Sequence, residues 1–294
     1  MSLVPLFLGV DLVQIGQDCG SRTYRLDRAA INNYVSALQE PNPLYVVESA
    51  TEGAFAPSLI LHSEVYENRS WYLPNVKGFL HTKQEFDLFS PLMANEQVTT
   101  HTFVADRYTK RDRDYVVCES LVLGSDRRVC VRGRTHQSFL KSQVGQVTQQ
   151  EVKGSIREGR RFVVGEGQAL EELPVLERKV DMKMCLHFSG PRVNLHNNLE
   201  SARARGFPTV LVQGMFSVCL LSELLTRRFG RGWMEGGKIT VSLVNPVWVD
   251  EVVSAHARIT HRQDEGARFR ASLEVWCTKG DGTVTVVGVA SALT

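Results

Sequence analysis

Two short segments of this 294-residue chain carry the residue types of proton-transfer chemistry. In the first, Glu40-Pro41-Asn42-Pro43-Leu44-Tyr45 is followed, seventeen residues after Tyr45, by His62-Ser63. In the second, Pro191-Arg192-Val193-Asn194-Leu195-His196 is followed at the same distance by Gln213-Gly214. A carboxylate and an imidazole, such as Glu40 with His62 or His196, can pass protons to and from a bound substrate. Tyr45, Asn42, Ser189, Asn194 and Gln213 add hydroxyl and amide groups that can hold a carbonyl or a water. Gly214 and Met215 stand where a helix opens, and the first N–H groups of a helix lack internal partners and favour an anion. Each residue also has a plain structural reading. A lone histidine before a helix is often a satisfied core or capping group, Glu40 can pair with a loop cation, and Tyr45 can simply pack.

The two segments are copies of one unit. Pro57 and Pro208 keep the offset of 151 set by the signatures. Further on the offset becomes 155, matching Pro91 with Pro246, Glu96 with Glu251, Arg107 with Arg262, Glu119 with Glu274, Asp126 with Asp281 and Gly133 with Gly288. A long-period self-match of this kind marks duplication of a structural unit. The expected organisation is a first unit over 1–140, a polar connector over 141–175 and a second unit over 176–294.

The elements that must position the signatures recur in the same order. Asp27 is the expected N-cap of a helix that places Ala30, Ile31, Tyr34, Val35 and Leu38 on one face, and its counterpart starts near Asp181. After each signature comes a longer helix, Ser63 to Tyr72 in the first copy and Gly214 to Phe229 in the second. The second is apolar on nearly every side at its start, which predicts burial inside the fold. Hairpins follow: 115–123 with 128–139 around Gly124-Ser125-Asp126, and 269–277 with 283–293 around Lys279-Gly280-Asp281-Gly282. Glu119 and Glu274 are expected to face solvent from their strands. The fold class is α+β, a central helix wrapped by an antiparallel sheet, present twice and joined edge to edge.

Composition excludes some functions. With 43% hydrophobic and 22% charged residues and a formal charge of +2, the chain does not read as a nucleic-acid or membrane partner. Arg157, Arg160 and Arg161 form a small basic cluster in the connector. The six cysteines have no C-x-x-C spacing, and the histidines (His81, His101, His136, His187 and His261 among them) show no metal-ligand pattern. Gly165-Glu166-Gly167 lacks the context of a dinucleotide loop. Met1–Phe7 has no basic leader, so the cytoplasm is the expected compartment, and Asn68-Arg69-Ser70 reads as an accidental sequon.

The segment Phe188–His196, with Ala202, Gly206-Phe207-Pro208 and Gln213-Gly214-Met215, resembles the hydratase box of MaoC-like dehydratases. The first copy resembles the substrate-holding half of fused (3R)-hydroxyacyl dehydratases. The resemblance implies a double hotdog fold and hydration or dehydration of an enoyl or 3-hydroxyacyl thioester, in fatty-acid or polyketide-type metabolism. It implies no cofactor beyond the CoA or phosphopantetheine that carries the substrate, no metal, and an acyl-carrier protein or a second copy as compatible partners. By motif position the catalytic set is His196, Glu40, His62 and Gln213, with Gly214 and Met215 as oxyanion donors and with Glu64 and Glu67 on the helix after His62 as further contributors if the first copy is the working one. Asn42, Tyr45, Ser189 and Asn194 are the expected substrate contacts. Pro191 stands where the family has its Asp, Tyr45 where the first copy would have its first His, and Gln213 where the second would have its later His. Proline cannot transfer a proton, so three readings stay open: a hydro-lyase using another carboxylate, different chemistry on a thioester (hydrolysis, isomerisation or cyclisation), or a non-catalytic acyl-thioester-binding partner.

Overall fold

The computed structural model describes residues 13–45, 54–68, 80–111, 113–140 and 162–294. The basic cluster at Arg157, Arg160 and Arg161, the chain start, the sequon beyond Asn68 and the far end of the first long helix lie outside the described residues. Strands β1 (Asp18–Arg25), β2 (Leu80–Leu88), β3 (Gln97–Lys110), β4 (Arg113–Leu123) and β5 (Val129–Leu140) form one half of an 11-stranded sheet. The other half contains β6 (Glu171–Glu172), β7 (Leu176–Lys179), β8 (Lys238–Leu243), β9 (Val252–Asp264), β10 (Phe269–Lys279) and β11 (Val284–Leu293). The order is β1-β3-β4-β5-β2-β8-β11-β10-β9-β6, with β7 also on β9. It reads as a mirror about the β2–β8 seam, and the strand pairs are antiparallel.

The repeat offset is built into the backbone. Across the seam Glu85 pairs with Thr240, and 85 and 240 differ by the offset of 155, so equivalent residues face each other at the centre. The register slips between Val104 and Asp106 in β3, and between the partners of Ile259 and His261 in β9, so a bulge sits at matched positions in both halves. Asn95 and Asp250, also matched, both take positive φ, at 63° and 71°. Pairing β2 with β8 covers two edges that would otherwise template aggregation.

Helices α1 (Arg28–Leu38) and α3 (Met182–Phe188) are capped alike: Asp27 accepts from Ala30 N and Asp181 from Met184 N. Among the described residues, the first long helix contributes α2 (Glu64–Asn68). After the short α4 (Leu199–Ala204), α5 (Met215–Phe229) runs through the second half with its first twelve residues buried, as its all-round apolar start requires. A short α6 (Arg231–Gly236) follows. No helix among the described residues is long and apolar enough to cross a membrane.

One solvent-facing expectation is corrected. Glu119 is buried and ion-paired to Arg134 at 2.5 Å, because β5 lays that guanidinium over it. Its match Glu274 stays partly exposed against Arg258.

Candidate active site between the two halves

The matched positions His62 and Gln213 meet where the halves join. Gln213 Nε2 donates to Ser63 Oγ at 2.9 Å, and Ser63 Oγ lies 2.7 Å from His62 Nδ1. A hydroxyl has one proton. The oxygen also has two lone pairs, so with the amide donating to it Ser63 either donates to His62 Nδ1 or accepts from it; in the tautomer in which Ser63 donates, the imidazole carries its proton on Nε2. The ring stacks on Phe188 of the second signature, centroids 4.2 Å apart. Burial pushes its pKa down to about 3, so the ring is neutral at physiological pH and acts as a hydrogen-bond donor.

His62 stands on the wall of a cleft of about 230 Å³ shaped by both halves. Tyr24, Arg25, Asn33 and Tyr34 line it from the first half, and His187, Phe188 and Gly190 from the second. His62 and Leu61 also line a second, small cavity of about 20 Å³ within the first half. Glu64, the first residue of α2, faces that cavity and is buried. Its oxygens accept from the Tyr24 hydroxyl at 2.6 Å and from Thr100 Oγ1 at 2.5 Å. That attachment, together with burial as the larger cause, drives the Tyr24 hydroxyl far above its ordinary pKa.

The other sequence-predicted residues are placed elsewhere. Glu40 is turned into the protein and held by Arg178 at 2.5 Å and by the two nitrogens of Arg227, so its carboxylate joins the halves and does not line the cleft. Tyr45 is fully buried and donates to Glu223 Oε2 at 2.7 Å. Asn42 Oδ1 accepts from Leu44 N, an Asx turn that bends the first signature. In the second signature Asn194 does the same for His196 N and ties the loop to the carbonyls of Ser189 and Arg192. Ser189 Oγ is buried.

His196 is partly buried, with Nδ1 at 2.8 Å from the Leu211 carbonyl, which makes Nδ1 the protonated nitrogen. Burial lowers its pKa to about 4. Among the described residues no carboxylate bonds to it, and it lines neither the cleft nor the small cavity. Gly214 caps α5, and a Cβ there would meet the Leu243 Cδ2 methyl, so the helix start lies close to β8 and another residue would require that side chain to shift. Met215, its neighbour, is a fully buried core residue.

Of the residues named by motif position, His62 and Gln213 are brought together through Ser63, whereas Glu40 is held away by Arg178 and Arg227 and Glu64 shares the small cavity with His62. The signal for Glu64 was its place two residues after His62 at a helix start, a spacing that puts both beside one cavity. Among the described residues no cluster of three or more His, Cys, Asp or Glu is arranged to hold a metal.

Comparison with known proteins agrees with this architecture. A family model described as the FAS1-like dehydratase domain region matches residues 13–132. No curated protein sequence matches the chain. Among solved structures, a MaoC-like dehydratase from Phytophthora capsici superposes with a TM-score of 0.71 at 16% identity, covering 97% of this chain and 98% of its own. A Mycobacterium tuberculosis protein described as having a double hotdog fold reaches 0.60 at 12% identity, covering 96% and 97%. A putative oleoyl thioesterase from Lactobacillus plantarum reaches 0.53 at 12% identity, covering 93% and 95%. The fold is a double hotdog, shared with proteins named as dehydratases and with one named as a thioesterase.

Proposed function

We propose that this chain acts on an acyl thioester bound in the cleft between its halves, and that it adds water to, or removes water from, the α,β-carbons of that acyl group. The observation that carries this reading is His62. It is a neutral imidazole, bonded to Ser63 and through it to Gln213, on a wall shared by the cleft and a small cavity, and in the tautomer in which Ser63 donates to Nδ1 its Nε2 carries the proton. Hydration of an enoyl thioester builds negative charge on the thioester oxygen, and a fixed donor aimed at that oxygen lowers the barrier. His62 Nε2–H is that donor, with the amides of Gly214 and Met215 as further candidates. The carrier is CoA or the phosphopantetheine of an acyl-carrier protein, and the chain needs no other cofactor. Homodimer formation and a cytoplasmic location are compatible with this assignment.

In this reading His196, bonded to Leu211 and away from the cleft, holds the second signature loop. Ser63 supports a second reading. A hydroxyl 2.7 Å from an imidazole nitrogen is the pairing of an acyl-accepting nucleophile with its base, which would give thioester hydrolysis.

The test is the ultraviolet absorbance of enoyl-CoA incubated with the purified protein. Hydration removes the conjugated band, and His62→Gln lowers the rate by about 10²-fold or more. Because the His62 pKa is near 3, kcat/KM contributed by His62 stays level between pH 5 and 8. Release of free thiol instead of loss of the enoyl band selects the second reading. A panel of enoyl and 3-hydroxyacyl thioesters left untouched refutes both.

A further inference from the structure

The two halves have the same strands but opposite interiors. In the first half the buried inward positions include Gln84, Thr100, Thr102, Ser120, Thr135 and Gln137. At the offset of 155 the second half has Ile239, Ala255, Ala257, Val275, Ala290 and Ala292, all buried and all apolar. Burying hydroxyls and amides costs free energy that burying Ala and Val does not. The first half meets that cost with a network: Thr135 Oγ1 donates to Gln84 Oε1 at 2.8 Å, Thr102 and Ser120 share a bond of 2.7 Å, and Thr100 donates to Glu64. A core of this kind is organised around something polar. The small cavity adjoins this network through Ser58, His62, Glu64, Gln84 and Ser120, while the rest of its lining, Leu59, Phe86 and Val122 among it, is apolar.

Resting on the reading that His62 serves an enoyl thioester, we propose that Glu64 is the carboxylate of the reaction and that the cavity it shares with His62 seats the reacting water. The volume, about 20 Å³, suits one water and no more, since a water needs roughly 10–15 Å³ on this measure and two to four polar partners. The cavity adjoins the cleft at His62, which lines both, and Glu64 is bonded to the hydroxyl of the cleft residue Tyr24, so a water there would sit beside the cleft wall. In hydration the water oxygen bonds to the β-carbon and Glu64 takes the water proton. The π electrons move toward the thioester oxygen, held by His62. Glu64 then returns its proton to the α-carbon, so no other reactant is required. Dehydration is the reverse. The second half, apolar at the six matched strand positions and with Met215 in the place of Glu64, keeps the shape of the fold without this chemistry.

The experiment compares wild type with Glu64→Gln and Ser120→Val on an enoyl-CoA, and measures in parallel the thermal shift given by the saturated acyl-CoA. Ser120→Val introduces the residue that the other half has at its matched position and fills the cavity while leaving the carboxylate in place. The expected result is a loss of kcat of about 100-fold or more in both variants with the acyl-CoA thermal shift retained. Either variant within threefold of wild-type kcat overturns the proposal, so it stays refutable through Ser120→Val even if Glu64→Gln fails to fold. Wild type that is stabilised by acyl-CoA yet hydrates nothing overturns the Glu64 role while keeping the binding cleft. Wild type that neither binds nor reacts overturns both.

Discussion

Glu223 sits in the middle of α5 with its side chain fully buried, and its behaviour with pH gives a sharp test of the interior at the junction of the halves. Burial, which penalises the ionised form, pushes its pKa from 4.5 up to about 8. Glu40 nearby adds to the rise, while the Tyr45 hydroxyl and Arg227 oppose it. In the unfolded chain the same carboxyl loses its proton near its ordinary value. Between those two pH values the folded state binds more protons than the unfolded state, so this group's contribution to stability falls as pH rises through that window. Each pH unit is worth about 1.4 kcal/mol, which over the interval from 4.5 to about 8 approaches roughly 5 kcal/mol. Glu223→Gln mimics the protonated acid and can still accept from Tyr45. The variant is therefore expected to match wild type near pH 4.5 and to exceed it by several kcal/mol at pH 8.5, read as about 2–4 °C in Tm per kcal/mol for a chain of this size. Groups common to both proteins cancel in the difference. A Tm difference that stays flat from pH 5 to 9, or that favours wild type as pH rises, refutes the reasoning.

Two further outcomes follow from the packing. Glu40→Gln removes the charge that two guanidiniums share in a buried site and should cost about 3 kcal/mol in urea unfolding, at the low end for a broken buried pair because Arg227 is half exposed and can rehydrate. A stable but inactive Glu40→Gln would return that residue to the catalytic set. Gly288→Ala should be more destabilising than Gly133→Ala although the two are repeat mates. A Cβ at Gly288 would run into the Thr240 carbonyl and lie 2.8 Å from Val241 Cα, both backbone, whereas at Gly133 it would meet the movable ring of Phe86 at 2.8 Å. Equal midpoints in chemical denaturation would contradict this.

Much of the architecture was legible because it is repeated. An offset that survives in prolines and turn residues survives because each fills a backbone requirement, as Asp126 and Asp281 do in their turns, and the capping aspartates Asp27 and Asp181 meet one requirement in both halves at a slightly different spacing. The apolar start of α5 likewise announced its burial. The site was legible only in part. His62 and Gln213 were found by motif position, and their meeting through Ser63 was not, since it depends on how the two halves dock.

The sequence by itself determined the duplication, the four strands of the two hairpins, the helix caps at Asp27 and Asp181 and the absence of an Asp before His196, all of which are local or periodic properties. Which carboxylate faces which histidine was decided only by tertiary structure. Glu40 carries the motif position but lies between two arginines drawn from elements 138 and 187 residues away. Glu64 carries no motif yet shares a cavity with His62, because α2 lies beneath a sheet whose inner face is polar. A carboxylate's role is set by its neighbours in space, and those neighbours come from distant parts of the chain.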